Sequence, residues 1–218
     1  MIKILSALIG NPTENCFILT YNLDLPFFES ALFEPLYSSG CRNTIVFCDP
    51  MQYQVSIEDA GMVNYAGQRY LLFPGKTSPH GAFHPKIVLQ TSKMEGHLYI
   101  ASANVSRSGY TNNWEVLTKF EFYEEKPDDI SWQAFYWAYK LVRKIADESD
   151  PSGLIHERLD RLWETIPWLR NENQSKEIRN VWCLDNVDNT LLDQIHTKYL
   201  ENDGSKVGDV FIISPYFD

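Results

Sequence analysis

Two residues apart, His84 and Lys86 stand at the head of the run PKIVLQT (85–91). On an extended strand such spacing points both side chains to one face. An imidazole there can attack a phosphorus atom while the ammonium beside it neutralises the phosphoryl oxygens. The same spacing recurs at Ser102 and Asn104, near the end of HLYIASA (97–103), and Asn113-Trp114-Glu115 opens the run WEVLTKFEF (114–122). Hydroxyl and amide groups hold a phosphoryl oxygen as uncharged donors. Glu115 is suited to bond the far nitrogen of His84 and keep the near one unprotonated, as carboxylates orient histidines in other nucleophilic sites. Asn113, Lys76 and Arg107 are candidates for contacts to a polyanionic substrate, although solvated surface charge accounts equally well for Lys76 and Arg107.

These residues need a scaffold, and the surrounding pattern supplies one. CFILTY (16–21), TIVFC (44–48) and YLLF (70–73) read as short buried strands. Between the first two, FFESALFEPLYSS (27–39) has helical apolar spacing, with Pro35 expected to kink or shorten it. The three later runs, 85–91, 97–103 and 114–122, follow one another closely enough to be antiparallel neighbours. Two helices follow, one over 131–147 and one starting at Asp150-Pro151, and RNENQSKE (170–177) reads as a linker. The fold class is therefore α/β, a mixed sheet flanked by helices.

The end of the chain repeats its beginning. A strand, Asn186-x-Asp188 and a helix in 181–200 match a strand, Asn22-x-Asp24 and a helix in 17–36, at an offset of 164 residues. After a polar turn the copy reaches DVFIISPYFD (209–218), as the first reaches TIVFCDP. We read this as duplication. The expected division is 1–169 for a full first half, 170–180 for a linker and 181–218 for the opening of a second half.

The chain has 218 residues and a net charge of −10, which argues against a non-specific nucleic-acid binder. Yet the segment from Arg69 to Arg107, which contains His84, carries +4, leaving −14 elsewhere. Cys16, Cys41, Cys48 and Cys183 show no zinc or disulfide spacing and read as buried thiols. No apolar run is long enough to span a membrane and no signal peptide is read, so a cytoplasmic location is expected. No Gly-rich phosphate loop, Ser-His-Asp signature or H-E-x-x-H occurs.

Taken together, His84-x-Lys86, Ala101-Ser102-x-Asn104 and Asn113-x-Glu115 resemble one half-site of the phospholipase D superfamily, which includes phospholipases, tyrosyl-DNA phosphodiesterases and bacterial nucleases. The resemblance covers residues 16–122, and SPYFD looks like the first strand of a second half. It implies a phospholipase D-like fold and two halves that share one site about a pseudo-two-fold axis. One histidine forms a phosphohistidine, and the other protonates the leaving group and activates water. No metal or cofactor is implied. The expected substrate is nucleic acid, DNA favoured, with a restriction or phage-defence role following by resemblance alone. The expected partners are the rest of a longer chain, a second copy or another protein that completes the site. The alternatives are a catalytically silent module that binds phosphate or DNA, and a phospholipase. Two departures stand out: Thr91 replaces the Asp expected five residues after the Lys, and Ala101 replaces a Gly.

Other chemistry-bearing residues read as structural. His80 and His97 are expected at a loop or strand end, and Trp114 against the sheet. His196-x-Lys198 has the right spacing, but on an expected helix its side chains diverge by about 200°. Trp132, Phe135, Tyr136 and Tyr139 recur at helical spacing and read as core rather than a base-stacking surface.

Overall fold

In the computed structural model the described residues are 4–61, 63–77, 81–150, 152–170 and 183–197. The chain divides into two units, Met1–Arg179 and Asn180–Asp218. The first is built on a six-stranded sheet in the order β3-β2-β1-β4-β5-β6. Its strands are β1 (Asn15–Leu19), β2 (Asn43–Cys48), β3 (Leu71–Pro74), β4 (Ile87–Thr91), β5 (Glu95–Ala101) and β6 (Leu117–Tyr123). Strands β1, β2 and β3 are parallel, whereas β4 turns back against β1 and then pairs with β5, and β5 with β6, in antiparallel fashion. The sheet is mixed and the class is α/β.

The central strands β1, β2 and β4 are buried along their whole length, so both faces are covered, as continuous apolar runs require. On one face Ile18, Val46, Val88 and Tyr99 pack with Leu8 of α1 (Ile4–Ile9) and with Phe28, Leu32 and Leu36. The last three belong to a continuous helical stretch: α2 (Leu25–Phe27), a π-helical middle (Phe28–Phe33) and α3 (Glu34–Ser38). Asp24 caps it through the Phe27 N–H. The widening falls ahead of Pro35, where the Glu34 N–H reaches the Glu29 carbonyl. Proline has no N–H to give and crowds the carbonyl four residues back, so the helix absorbs it by loosening a turn.

The opposite face is covered by α5 (Asp129–Ser149) and α6 (Leu154–Thr165). Phe122 stacks on Trp168 with ring centroids 4.4 Å apart. The sheet meets these rings so closely that a Cβ on Gly96 would lie 2.7 Å from Phe135 and 2.8 Å from Trp168. Trp132, Phe135 and Tyr139 are buried, as their helical period predicts.

Helix α4 (Pro50–Asp59) was missed in the sequence, where it reads as a polar stretch. Asp49 accepts hydrogen bonds from the N–H groups of Met51 and Gln52, and Pro50 opens the first turn, a cap-then-proline signal that carries more weight here than periodicity. The helix buries only Ser56, so no apolar stripe marks it.

In the second unit, α7 (Leu191–Ile195) is capped by Thr190, two residues after the Asp188 that the duplication pairs with Asp24. The repeat is therefore not matched at the cap. Residues 181–182 and 198–218, including SPYFD, lie outside the described residues.

Candidate active site

The topology gathers the candidate residues at one end of the sheet. Register pairs Leu19 with Ile87, Ile87 with Ile100, Ala101 with Leu117, and Cys48 with Pro74. The ends of β1, β2, β3 and β5 and the beginnings of β4 and β6 therefore coincide. His84 and Lys86 precede β4, Ser102 and Asn104 follow β5, Asn113 and Glu115 precede β6, and Lys76 follows β3. All lie just outside the strands rather than within them, as the sequence had placed several. There the backbone is free of the ladder and the side chains can converge.

Lys86 and His84 meet. The lysine Nζ lies 3.1 Å from His84 Nδ1, 3.2 Å from Nε2 and 3.4 Å from the His84 carbonyl oxygen. The imidazole is exposed and the lysine half-buried. The stem of Lys86 lines a small apolar cavity with Ile4, Leu8, Val88, Tyr99 and Leu117. That burial lowers the affinity of its ammonium for the proton, and the negative charge of Glu115 partly restores it. A lysine so placed carries its charge with little water around it, the condition under which it acts strongly on an anion.

Glu115 is held from two sides. The Ser102 hydroxyl donates to Oε2 at 2.5 Å and the Asn113 side-chain amide to Oε1 at 3.3 Å. Ser102 also accepts from the Val116 N–H at 2.9 Å, and its own N–H donates to the Val116 carbonyl. The hydroxyl is thus committed to orienting Glu115 and to pinning the segment before β6. Asn104 accepts from the Asn22 N–H through Oδ1 at 3.4 Å, which fixes the amide with its NH₂ as the end able to donate to a ligand.

Lys76 extends an exposed side chain, while its N–H donates to Ser149. Arg107 stands exposed, its guanidinium 5.7 Å above the ring of Phe27. Neither is in an ion pair with an acidic side chain among the described residues.

Three expectations change. Trp114 is 89% exposed rather than buried against the sheet, because it precedes edge strand β6, where only β5 flanks it. His97 is not at a strand end. It is buried inside β5, 3.0 Å from Glu95 and 3.5 Å from Glu121, one pairing from the far end of the sheet. Thr91, at the position where the resembled motif has Asp, pairs with Asn15 at that same far end. Four strand steps from Ile87 place it about 13 Å from the start of β4, so the departure does not touch the site. His80 lies outside the described residues, and His196 is the C-cap of α7 in the second unit.

The sequence reading missed Tyr21, whose ring lies 4.7 Å from the His84 ring, tilted by 51°, and Asn22 as the partner of Asn104. Their signal was positional: they are the first residues beyond a buried parallel strand, where α/β sheets place their ligand-facing groups. Among the described residues, no group of three or more His, Cys, Asp or Glu could hold a metal ion. None of the helices described is long and apolar enough to cross a membrane.

No family model matches the sequence, and no curated protein matches it. Solved structures do. NucT from Helicobacter pylori aligns over 66% of this chain and 86% of its own, with a TM-score of 0.46 and 18% identity. The yeast tyrosyl-DNA phosphodiesterase aligns over 73% of this chain and 38% of its own, with a TM-score of 0.47 and 12% identity. The likeness is one of backbone.

Proposed function

We propose that this chain carries one full half, and the opening of a second, of a phospholipase D-like phosphodiesterase that cleaves nucleic acid, DNA favoured, through a covalent intermediate on His84. The observation that carries the reading is the contact of the Lys86 ammonium with both ring nitrogens of an exposed imidazole, with the Ser102–Glu115–Asn113 cluster beside them. A neutral His84 nitrogen attacks phosphorus and the bond from phosphorus to the leaving oxygen breaks. Lys86 and the Asn104 amide balance charge on the phosphoryl oxygens. Glu115 keeps Lys86 protonated. The leaving oxygen takes its proton from a second acid, for which the described residues of this half-site offer no second His-x-Lys. Water then attacks phosphorus and gives its proton to the conjugate base of that acid, the P–N bond breaks, and the neutral imidazole is released.

The acid belongs to a second half-site. It comes from a longer chain, from a second copy across a two-fold axis, or from a partner protein. Lys76 and Arg107 extend the cationic surface towards flanking phosphates. A role in restriction or phage defence is proposed on the motif resemblance alone.

The test is cleavage of labelled single- and double-stranded DNA and RNA in the presence of chelator. His84→Ala is expected to abolish it with no change in thermal stability. Wild-type rates in His84→Ala would overturn the proposal.

A further inference from the structure

We propose that Tyr21 and Asp49 form a mount that sets the imidazole of His84 in register for attack; the inference rests on the reading of His84 as the nucleophile. Asp49 is a buried carboxylate, 5% exposed, directly after β2. Its Oδ1 caps α4 through the Met51 and Gln52 N–H groups. That task leaves Oδ2 over, and Oδ2 accepts from the Phe83 N–H at 2.9 Å. Phe83 is the residue before His84.

The Asp49 N–H in turn donates to the Tyr21 carbonyl at 3.2 Å, and the Tyr21 ring packs on the His84 ring. The contacts close a cycle, Tyr21 to Asp49 to Phe83 to His84 and back to Tyr21. One arm fixes the backbone entering His84 and the other fixes the ring plane.

A third feature locks the first arm. Gly75, whose N–H donates to the Cys48 carbonyl, lies under Phe83 so closely that a Cβ would come within 2.5 Å of that ring. Pro85 restricts His84 to extended backbone from the other side. An exposed catalytic ring needs such fixing, because solvent does not hold it. Attack demands reacting atoms within about 3–3.5 Å and aligned, and a 1 Å error costs about a hundredfold.

Asp49→Asn separates the two tasks of the carboxylate. Asparagine caps a helix as well as aspartate does, but its NH₂ would face the Phe83 N–H, donor against donor. Tyr21→Leu removes the other arm. In wild type the Tyr21 ring current displaces the His84 ring-proton resonances, and in both variants they are expected to relax towards free-imidazole positions while the far-ultraviolet spectrum is unchanged. If Asp49→Asn leaves the His84 resonances in place, the mount is refuted whatever the activity.

In turnover, each variant is expected to lower kcat by about tenfold to a hundredfold at nearly constant KM, and the double variant to lose less than the product of the two. In a His84→Gly background rescued with free imidazole, Asp49→Asn is expected to have no further effect, because the added ring is not carried by Phe83. An equal loss in the rescued reaction would mean a general distortion and would also overturn the mount. Intact ring-current shifts, with no phosphorus label on His84 from an activated phosphodiester whose leaving group needs no acid, would instead count against His84 as nucleophile and leave the mount standing.

Discussion

Lys86 is the residue on which charge and burial oppose each other most directly. Its apolar surroundings hold its proton affinity below that of an ordinary lysine, and Glu115 works against them. Sign follows from this. At neutral pH both folded and unfolded chains carry the ammonium, and the folded one bears the cost of burying it. As pH rises towards 10.5 the folded state gives up the proton first, so the unfolded state holds more protons and stability rises with pH from this group. Activity moves the other way, because the phosphate clamp needs the charge. Glu115→Gln removes the opposing carboxylate and is expected to shift the alkaline limb of kcat/KM to lower pH. An unmoved limb would show that Lys86 does not govern it. The nearness of His84 to Lys86 could be anticipated from their spacing, although both precede β4 and meet where the backbone is free of the ladder rather than through strand alternation. Tyr21 and Asp49 could not, because both act through contacts across strands that a one-dimensional pattern cannot join.

Among the elements, the helical stretch from α2 to α3 depends on one buried side chain. Glu29, 4% exposed, accepts from the N–H and side-chain amide of Asn64, the N–H of Tyr65 and the hydroxyl of Tyr70. Burial, and then the hydrogen bond to Glu29, pushes the Tyr70 phenol far above its ordinary range. Glu29→Ala strands these donors and is expected to cost about 3 kcal/mol in denaturant unfolding; a loss below about 0.5 kcal/mol would show that water replaces the carboxylate. Sequence reading saw only the apolar face of this helix and gave Glu29 no role, because its partners lie 35 to 41 residues away. Trp168 and Trp114 make the matching contrast. Trp168 is buried, donates its indole N–H to the Ser92 carbonyl and stacks on Phe122, whereas Trp114 is exposed. Trp168→Ala is expected to cost about 3–5 kcal/mol and Trp114→Ala no more than about 0.5 kcal/mol. Comparable losses at both positions would contradict the placement of Trp114. The strands themselves were readable within one to three residues, since buried β-branched and aromatic runs leave little ambiguity. Helix α4 was not, because a surface helix that buries one serine has no apolar period to read.

Across the whole molecule, topology sorts charge. Of the five bases between Arg69 and Arg107, Lys76, Lys86 and Arg107 fall at the site end of the sheet, whereas Arg69 precedes β3 and Lys93 joins β4 to β5 at the other end. A chain of net charge −10 thus offers an anion three cations at one edge. The class and the grouping of the candidate residues could be anticipated from the elements and the motif spacing, but the pairing order could not. Only the structure shows that β4 reverses beside β1 and so brings His84 against Tyr21. The central claim is that His84 bonds covalently to phosphorus. Incubation of the wild-type chain with a phosphorus-labelled DNA substrate, an acid-free quench and mapping of the labelled peptide tests it. The account predicts label on the peptide containing His84, stable to base and lost in acid, and absent from His84→Ala. Cleavage that proceeds with no label on that peptide, or with label elsewhere, would contradict it.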